Sequence, residues 1–167
     1  VRILQVNTFD QGGGAESVAS RLHAAYCRDG HEAWLAVKKI RTGAPGVIAI
    51  PETLGHSLWS KFFLNAAGTL DPLAGRVPGG SAAAAAMRAL ARPAAMSGKR
   101  RGKEDFHYPS SVAIAGLLPQ PPDVIQCHNL HGKYFDLSAL APLSKRFPVV
   151  LTLHDCWLTS GHCAHSF

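Results

Sequence analysis

The sequence predicts an α/β fold built on a doubly wound parallel sheet, and three observations predict it. Short apolar runs alternate with stretches of helical periodicity along the chain. The first two runs are joined through Gly12-Gly13-Gly14 and a helical stretch, a strand–helix–strand unit whose crossover implies parallel pairing. The runs themselves carry almost no charge, as strands covered on both faces require.

Residues 2–6 read Arg-Ile-Leu-Gln-Val and then give way to a polar loop and three glycines, so the first strand is a buried one. A helix over 15–28 follows, with Val18, Leu22, Ala25 and Tyr26 at helical spacing and Glu16 in its first turn. Gly30 closes that helix, and 33–37 form the second strand. A third strand over 47–50 stops at Pro51; Leu54, Leu58, Phe62 and Phe63 then mark a helix over 54–64. The stretch 71–103 reads as a mobile excursion, an insertion within one domain. It holds Pro72, Pro78, Pro93, glycines, an alanine run with helical propensity, and the basic cluster Lys99, Arg100, Arg101 and Lys103. Ser110 can cap a helix over 112–118 that Pro119, Pro121 and Pro122 terminate. A fourth strand over 123–127, a helix over 135–146 and a fifth strand over 149–153 complete the pattern. The chain then leaves the sheet at His154-Asp155-Cys156 with no further element expected. The whole reads as a Rossmann-like sheet flanked by helices.

The 167 residues suffice for one domain with a core, and 47% hydrophobic against 17% charged residues is a globular balance. No apolar run approaches the roughly 20 residues that span a bilayer. The N-terminus lacks the features of a signal peptide. These features point to a cytoplasmic protein, one that could work peripherally at the inner face of a membrane. The net charge of +6 suits anionic partners such as nucleotides or lipid phosphates. Four cysteines in such a setting argue against a disulfide framework; Cys27 and Cys127 read as core residues.

Ligands of an open parallel sheet bind at the carboxyl ends of its strands, and the polar residues collect there. The first strand ends at Asn7-Thr8 and the glycine loop, the fourth at His128-Asn129-Leu130-His131, the fifth at His154-Asp155. Five of the nine histidines lie in the last forty residues. The glycine loop places backbone N–H groups and a helix N-terminus where a phosphate can approach. Its spacing, Gly12-x-Gly14-x-x-Ser17, lacks the third glycine of the dinucleotide fingerprint. The second strand ends on Ala36, Val37 and Lys38 without the acidic residue that grips a ribose. His154 is the strongest candidate for chemistry, because imidazole donates hydrogen bonds or carries a proton near neutral pH. Asp155, on the opposite face of an extended chain, is not automatically its partner. Cys156, His162, Cys163 and His165 match no standard zinc spacing, so no metal is assigned.

Residues 122–132 (Pro-Asp-Val-Ile-Gln-Cys-His-Asn-Leu-His-Gly), 148–157 (Pro-Val-Val-Leu-Thr-Leu-His-Asp-Cys-Trp) and 159–163 (Thr-Ser-Gly-His-Cys) resemble bacterial glycosyltransferase family 4, of the exopolysaccharide and colanic-acid type. Gly12-Gly13-Gly14-Ala15-Glu16 and Gly30-His31-Glu32 fit the same family; residues 71–103 carry no resemblance. The resemblance implies the N-terminal, acceptor-side half of a two-lobed GT-B fold whose C-terminal donor domain is absent from this sequence. It implies a retaining hexosyltransferase that moves a sugar from a nucleotide-sugar donor to a glycan or polyprenyl-linked acceptor, without a metal or other cofactor. Gly13 and Gly14 would then lie near the donor diphosphate, His154 would reach the transferred sugar, and His128, Asn129, His131 and Asp155 would line the acceptor side. Without a donor lobe to enclose the substrate, the 167 residues alone are expected to be inactive. Two other readings stand beside this one. In the first, a non-catalytic module docks the basic cluster and the Trp59-Phe62-Phe63 helix on an anionic membrane. The second, an NAD-type oxidoreductase domain, is disfavoured by the broken fingerprint. Nucleic-acid binding has no supporting motif.

Overall fold

A computed structural model describes residues 1–74, 76–93 and 108–160. Five strands form one sheet: β1 (Arg2–Phe9), β2 (Glu32–Lys39), β3 (Val47–Ala49), β4 (Val124–Cys127) and β5 (Val149–Leu151). The order is β3-β2-β1-β4-β5 with every pairing parallel. The chain is therefore an α/β protein with a Rossmann-like sheet. Winding outward from β1 in both directions creates a switch between β1 and β4, and the carboxyl ends of strands at such a switch are where open α/β sheets bind ligands.

The helices are α1 (Gly14–Arg28), α2 (Leu58–Leu70), α3 (Gly80–Ala91), α4 (Ser110–Ala113), α5 (Leu140–Ser144) and α6 (Trp157–Ser160). Short 3-10 turns at Asp71–Leu73, Ile114–Leu117 and Leu137–Ala139 adjoin them. One face of the sheet carries the main apolar core. Leu4, Val6, Ile125 and Cys127 there meet Ile114, Leu130, Phe135 and Leu143, all buried. Each large side chain taken from water there contributes about 1.5–3 kcal/mol. Burial pushes the Cys127 thiol up to about 12, so this cysteine is packing and not a nucleophile. At the amino edge, Arg2 clasps Asp123 (2.7 Å) and so ties the start of β1 to the start of β4.

Several elements differ from the sequence expectation. Helix α1 buries Ala19 and His23 while Val18 is exposed, because the packed stripe lies one residue beyond the apolar one. Cys27, expected in the core, is exposed for the same reason. Helix α2 starts at Leu58 and not at 54: Gly55 takes φ 73°, and Ser57 caps the helix by accepting from the Ser60 N–H (3.2 Å). Ser110 does not cap α4; it lies inside the first turn, buried, with Pro109 at the cap. The helix expected over 135–146 breaks into a 3-10 turn and five α-helical residues, with Asp136 accepting from the Ser138 N–H (2.9 Å). Strand β5 stops at Leu151, so His154 sits in the loop beyond it, and a short helix, α6, follows where none was expected. The alanine run forms α3, which packs against α2 as a helical hairpin. The cluster Lys99, Arg100, Arg101 and Lys103, and His162, Cys163 and His165, lie outside the described residues.

Candidate functional site

The second face of the sheet is polar where it approaches the switch. Gln5 sits at the centre of β1, in the register Gln5↔Gln126 with β4, and both are buried. Tyr26 of α1 donates to Gln126 Oε1 (3.0 Å), and Gln126 Nε2 donates to Thr152 Oγ1 (3.1 Å). Two residues further along the same face stand His128 after β4 and His154 after β5. Polar groups buried under a helix are costly unless each finds a partner, and this row pairs them laterally across three strands except for Gln5 Oε1, which has no partner among the described residues.

The pairing fixes a tautomer. Gln5 Nε2 donates to the Ala19 carbonyl (3.3 Å), which sets which end of the amide is the NH2. That same nitrogen lies 3.1 Å from His128 Nε2, which must therefore be the unprotonated, accepting nitrogen of its ring. His128 Nδ1 then carries the proton and donates to His154 Nε2 at 3.0 Å, with the two rings stacked 5.2 Å apart at 25°. His154 in turn keeps its own proton on Nδ1. His128 is only 4% exposed, and burial, with a smaller contribution from His154, holds its pKa down to about 4, so it stays neutral. His128 thus has both nitrogens engaged and holds His154, while the half-buried His154 has an N–H with no partner among the described residues.

The loop after β4 is built on β1. Asn7 Oδ1 accepts from the Asn129 N–H (3.2 Å), Thr8 Oγ1 donates to the His131 carbonyl (3.0 Å), and the buried Tyr134 hydroxyl donates to the Asn129 carbonyl (2.5 Å). Gly132 takes φ 105° directly over Thr8; a Cβ there would sit 3.1 Å from Thr8 Cγ2. His131 Nε2 meets Asp155 Oδ2 (3.1 Å), and Asp155 Oδ1 accepts from the Trp157 N–H (3.0 Å). The sequential neighbours His154 and Asp155 therefore serve different partners, as their opposite faces required. The side chain of Asn129 stays half-buried at the mouth.

The glycine loop is held from behind. Asp10, buried, accepts from the N–H groups of Arg41 (2.7 Å) and Thr42 (2.8 Å) and from the Thr42 hydroxyl. Burial alone would raise its pKa, but these hydrogen bonds outweigh it and lower the carboxyl below its usual value. Arg41 lies over the Phe9 ring (3.7 Å) and donates to the Gln11 carbonyl (2.7 Å). Gly12 adopts φ 147°, where a Cβ would also collide with the Arg41 guanidinium. Gly13 caps α1, but its N–H is already taken by Glu16 Oε2 (2.9 Å). Gly14 opens the helix with open space around its Cα. Since the Ser17 N–H already donates to the Gly13 carbonyl (3.0 Å), the helix-start donors without an intrahelical acceptor are Gly14, Ala15 and Glu16, with a carboxylate beside them.

The structure thus puts the glycine loop, His128, Asn129, His131, His154 and Asp155 on one edge of the sheet. They follow β1, β4 and β5, which are adjacent in that order. At the usual interstrand spacing the outer two of these strand ends are about 10 Å apart. Sequence reasoning missed Gln5, Gln126 and Thr152, although a glutamine inside an otherwise apolar strand was a visible signal. It also missed Asp10. Among the described residues no group of three or more His, Cys, Asp or Glu side chains gathers to hold a metal ion. No helix among them is long and apolar enough to cross a membrane. No protein-family model matches this chain, and no curated protein matches it either.

Proposed function

We propose that this chain is the acceptor-side lobe of a retaining sugar transferase that uses a nucleotide-sugar donor and a glycan or lipid-linked acceptor. The observation that carries the reading is the arrangement of His154 at the carboxyl edge of the sheet, held by His128 beside the β1–β4 switch. A neutral imidazole has its orientation fixed by His128 and one N–H left over, on the same rim as a helix N-terminus. Cleaving the bond between a sugar and a diphosphate puts growing negative charge on the leaving oxygen. Backbone N–H groups at the start of α1 suit that charge. A neutral N–H donor such as His154 Nδ1 suits a sugar hydroxyl, because it positions the ring without placing a full charge beside the reacting carbon. The loop 129–132, braced on Thr8, stands on the same edge, where an acceptor would lie. An open rim does not exclude water, so binding without turnover is expected of this chain by itself.

A thermal-shift panel of nucleotide-sugars, nucleoside diphosphates and NAD tests the reading. Nucleotide-sugars should raise the Tm of the chain through a contribution that His154→Ala removes, while NAD should give no shift that depends on His154. A shift with NAD alone, or none with any nucleotide-sugar, overturns it.

A specific observation also favours a membrane-facing role for the α2–α3 hairpin. Leu58, Trp59 and Phe62 are 85%, 61% and 68% exposed on the outer side of α2. Phe63, grouped with them on sequence grounds, turns inward against Trp59 (4.7 Å). Aromatic and apolar side chains on one helix face suit the headgroup layer of a bilayer. Pelleting with anionic vesicles that Trp59→Ser/Phe62→Ser abolishes is the expected result; unchanged pelleting contradicts it.

A further inference from the structure

Lysine and arginine side chains converge at a place the site above does not use. Strand β2 ends in Lys38 and Lys39, α3 is followed by Arg92, and the loop after β4 contributes Lys133, held at φ 61°. All four line one cavity of about 280 Å³, with Tyr108 in its wall and Glu52 as the one carboxylate among its described lining residues. None of the four is in an ion pair among the described residues. Lys38 spends one donor on the Gly132 carbonyl (2.6 Å) and keeps the others. Arg92 lies over the Tyr108 ring (5.3 Å), and its Nε is buried with no hydrogen-bond partner. Four cations around one carboxylate leave an uncompensated excess of like charge, and a buried guanidinium N–H without an acceptor is costly. A bound anion with several acceptor oxygens removes both penalties.

We infer that this cavity binds a phosphate group. The lysines supply mobile point charges and the guanidinium a directional donor, a combination that suits a phosphate monoester or diester better than a carboxylate. Its place follows from the fold: Lys38 grips Gly132, so the cavity adjoins the loop that carries Asn129 and His131. Naming the phosphate as part of the acceptor rests on the proposed function; phosphate binding itself does not. Two sources offer this chemistry, a soluble phosphate ester and a lipid headgroup. The α2–α3 hairpin touches both possibilities, since the exposed Trp59 donates to the carbonyl of Leu90, two residues before Arg92.

Two-dimensional NMR of the full chain, titrated with inorganic phosphate at constant ionic strength, tests the site. Saturable shifts should appear at Lys39, Lys133 and Tyr108. Lys133→Asn, which tolerates the left-handed backbone, and the exposed Lys39→Gln should each weaken binding at least fivefold. Arg92→Gln should do so more strongly, and Lys145→Gln, an exposed charge elsewhere, should leave it unchanged. Pelleting with phosphatidic acid vesicles but not phosphatidylcholine, lost in Lys133→Asn, supports the site with a lipid source. Phosphate binding without pelleting supports it with a soluble source. Absent or non-saturable shifts, or equal affinity in the three cavity variants, overturn the inference. Because the nucleotide-sugar response should depend on His154 and the phosphate response on Lys133 and Arg92, the loss of one and the loss of the other are separate results.

Discussion

His128 Nδ1 lies 3.0 Å from His154 Nε2, and the amide of Gln5 on the far side of the His128 ring decides the direction of that hydrogen bond. The proton sits between the rings on His128, so the half-buried member of the pair, His154, keeps its own N–H on Nδ1. Four predictions follow from this arrangement and from the glycine loop.

Replacing His128 with Phe keeps a planar ring, somewhat larger than imidazole, but removes the acceptor for Gln5 and the donor to His154. The chain should lose about 1–2 kcal/mol in urea unfolding at neutral pH. His154 should then lose its single tautomer, which side-chain nitrogen shifts in NMR would register. Unchanged shifts would refute the pairing.

Acid should destabilise the fold through the same residue. His128 takes a proton at about 4 in the folded chain against an ordinary value of 6.5. Its folded pKa is depressed, so the unfolded chain binds the proton first. Stability is full above pH 6.5 and falls between there and about pH 4, by roughly 3 kcal/mol at most. In His128→Phe this part of the pH dependence should flatten; an equal slope in both proteins would assign the loss elsewhere.

Asp10→Ala removes the acceptor shared by Arg41 and Thr42 behind the glycine loop. A buried carboxylate holding several N–H groups makes this a change of about 3 kcal/mol. Amide exchange should quicken at Arg41 and Thr42 ahead of the rest of the sheet. Uniform exchange would show that the loop does not depend on Asp10.

Glu16→Gln keeps an acceptor for the Gly13 N–H while deleting the charge beside the helix start. The helix should lose under about 1 kcal/mol. Binding of a nucleoside diphosphate at low salt should tighten about fivefold, as one repulsive contact disappears. Weaker binding in this variant would place the anion elsewhere.

The fold was largely legible in the sequence because buried parallel strands and amphipathic helices leave strong periodic signals. The first strand–helix–strand unit and the carboxyl-edge address of Gly13, Gly14, His128, Asn129, His131, His154 and Asp155 followed from it. Boundaries were less legible where caps decide them: Ser57 and Gly55 delay α2, and Pro109 displaces Ser110 from the cap position. Pairings between distant segments left no local signature. Gln5 meets His128 across 123 positions and Asp10 meets Thr42 across 32, and only the strand order brings them together. The cluster of Lys38, Lys39, Arg92 and Lys133 was invisible for that reason too.

The most direct test of the central claim is an NMR titration of the chain with a nucleotide-sugar, followed at the Gly14 amide and the His154 ring together. One rim serving one ligand predicts that both signals move with a single Kd and that Asn129 responds while Lys145 does not. Movement of only one of the two, or of each with its own Kd, would contradict the account.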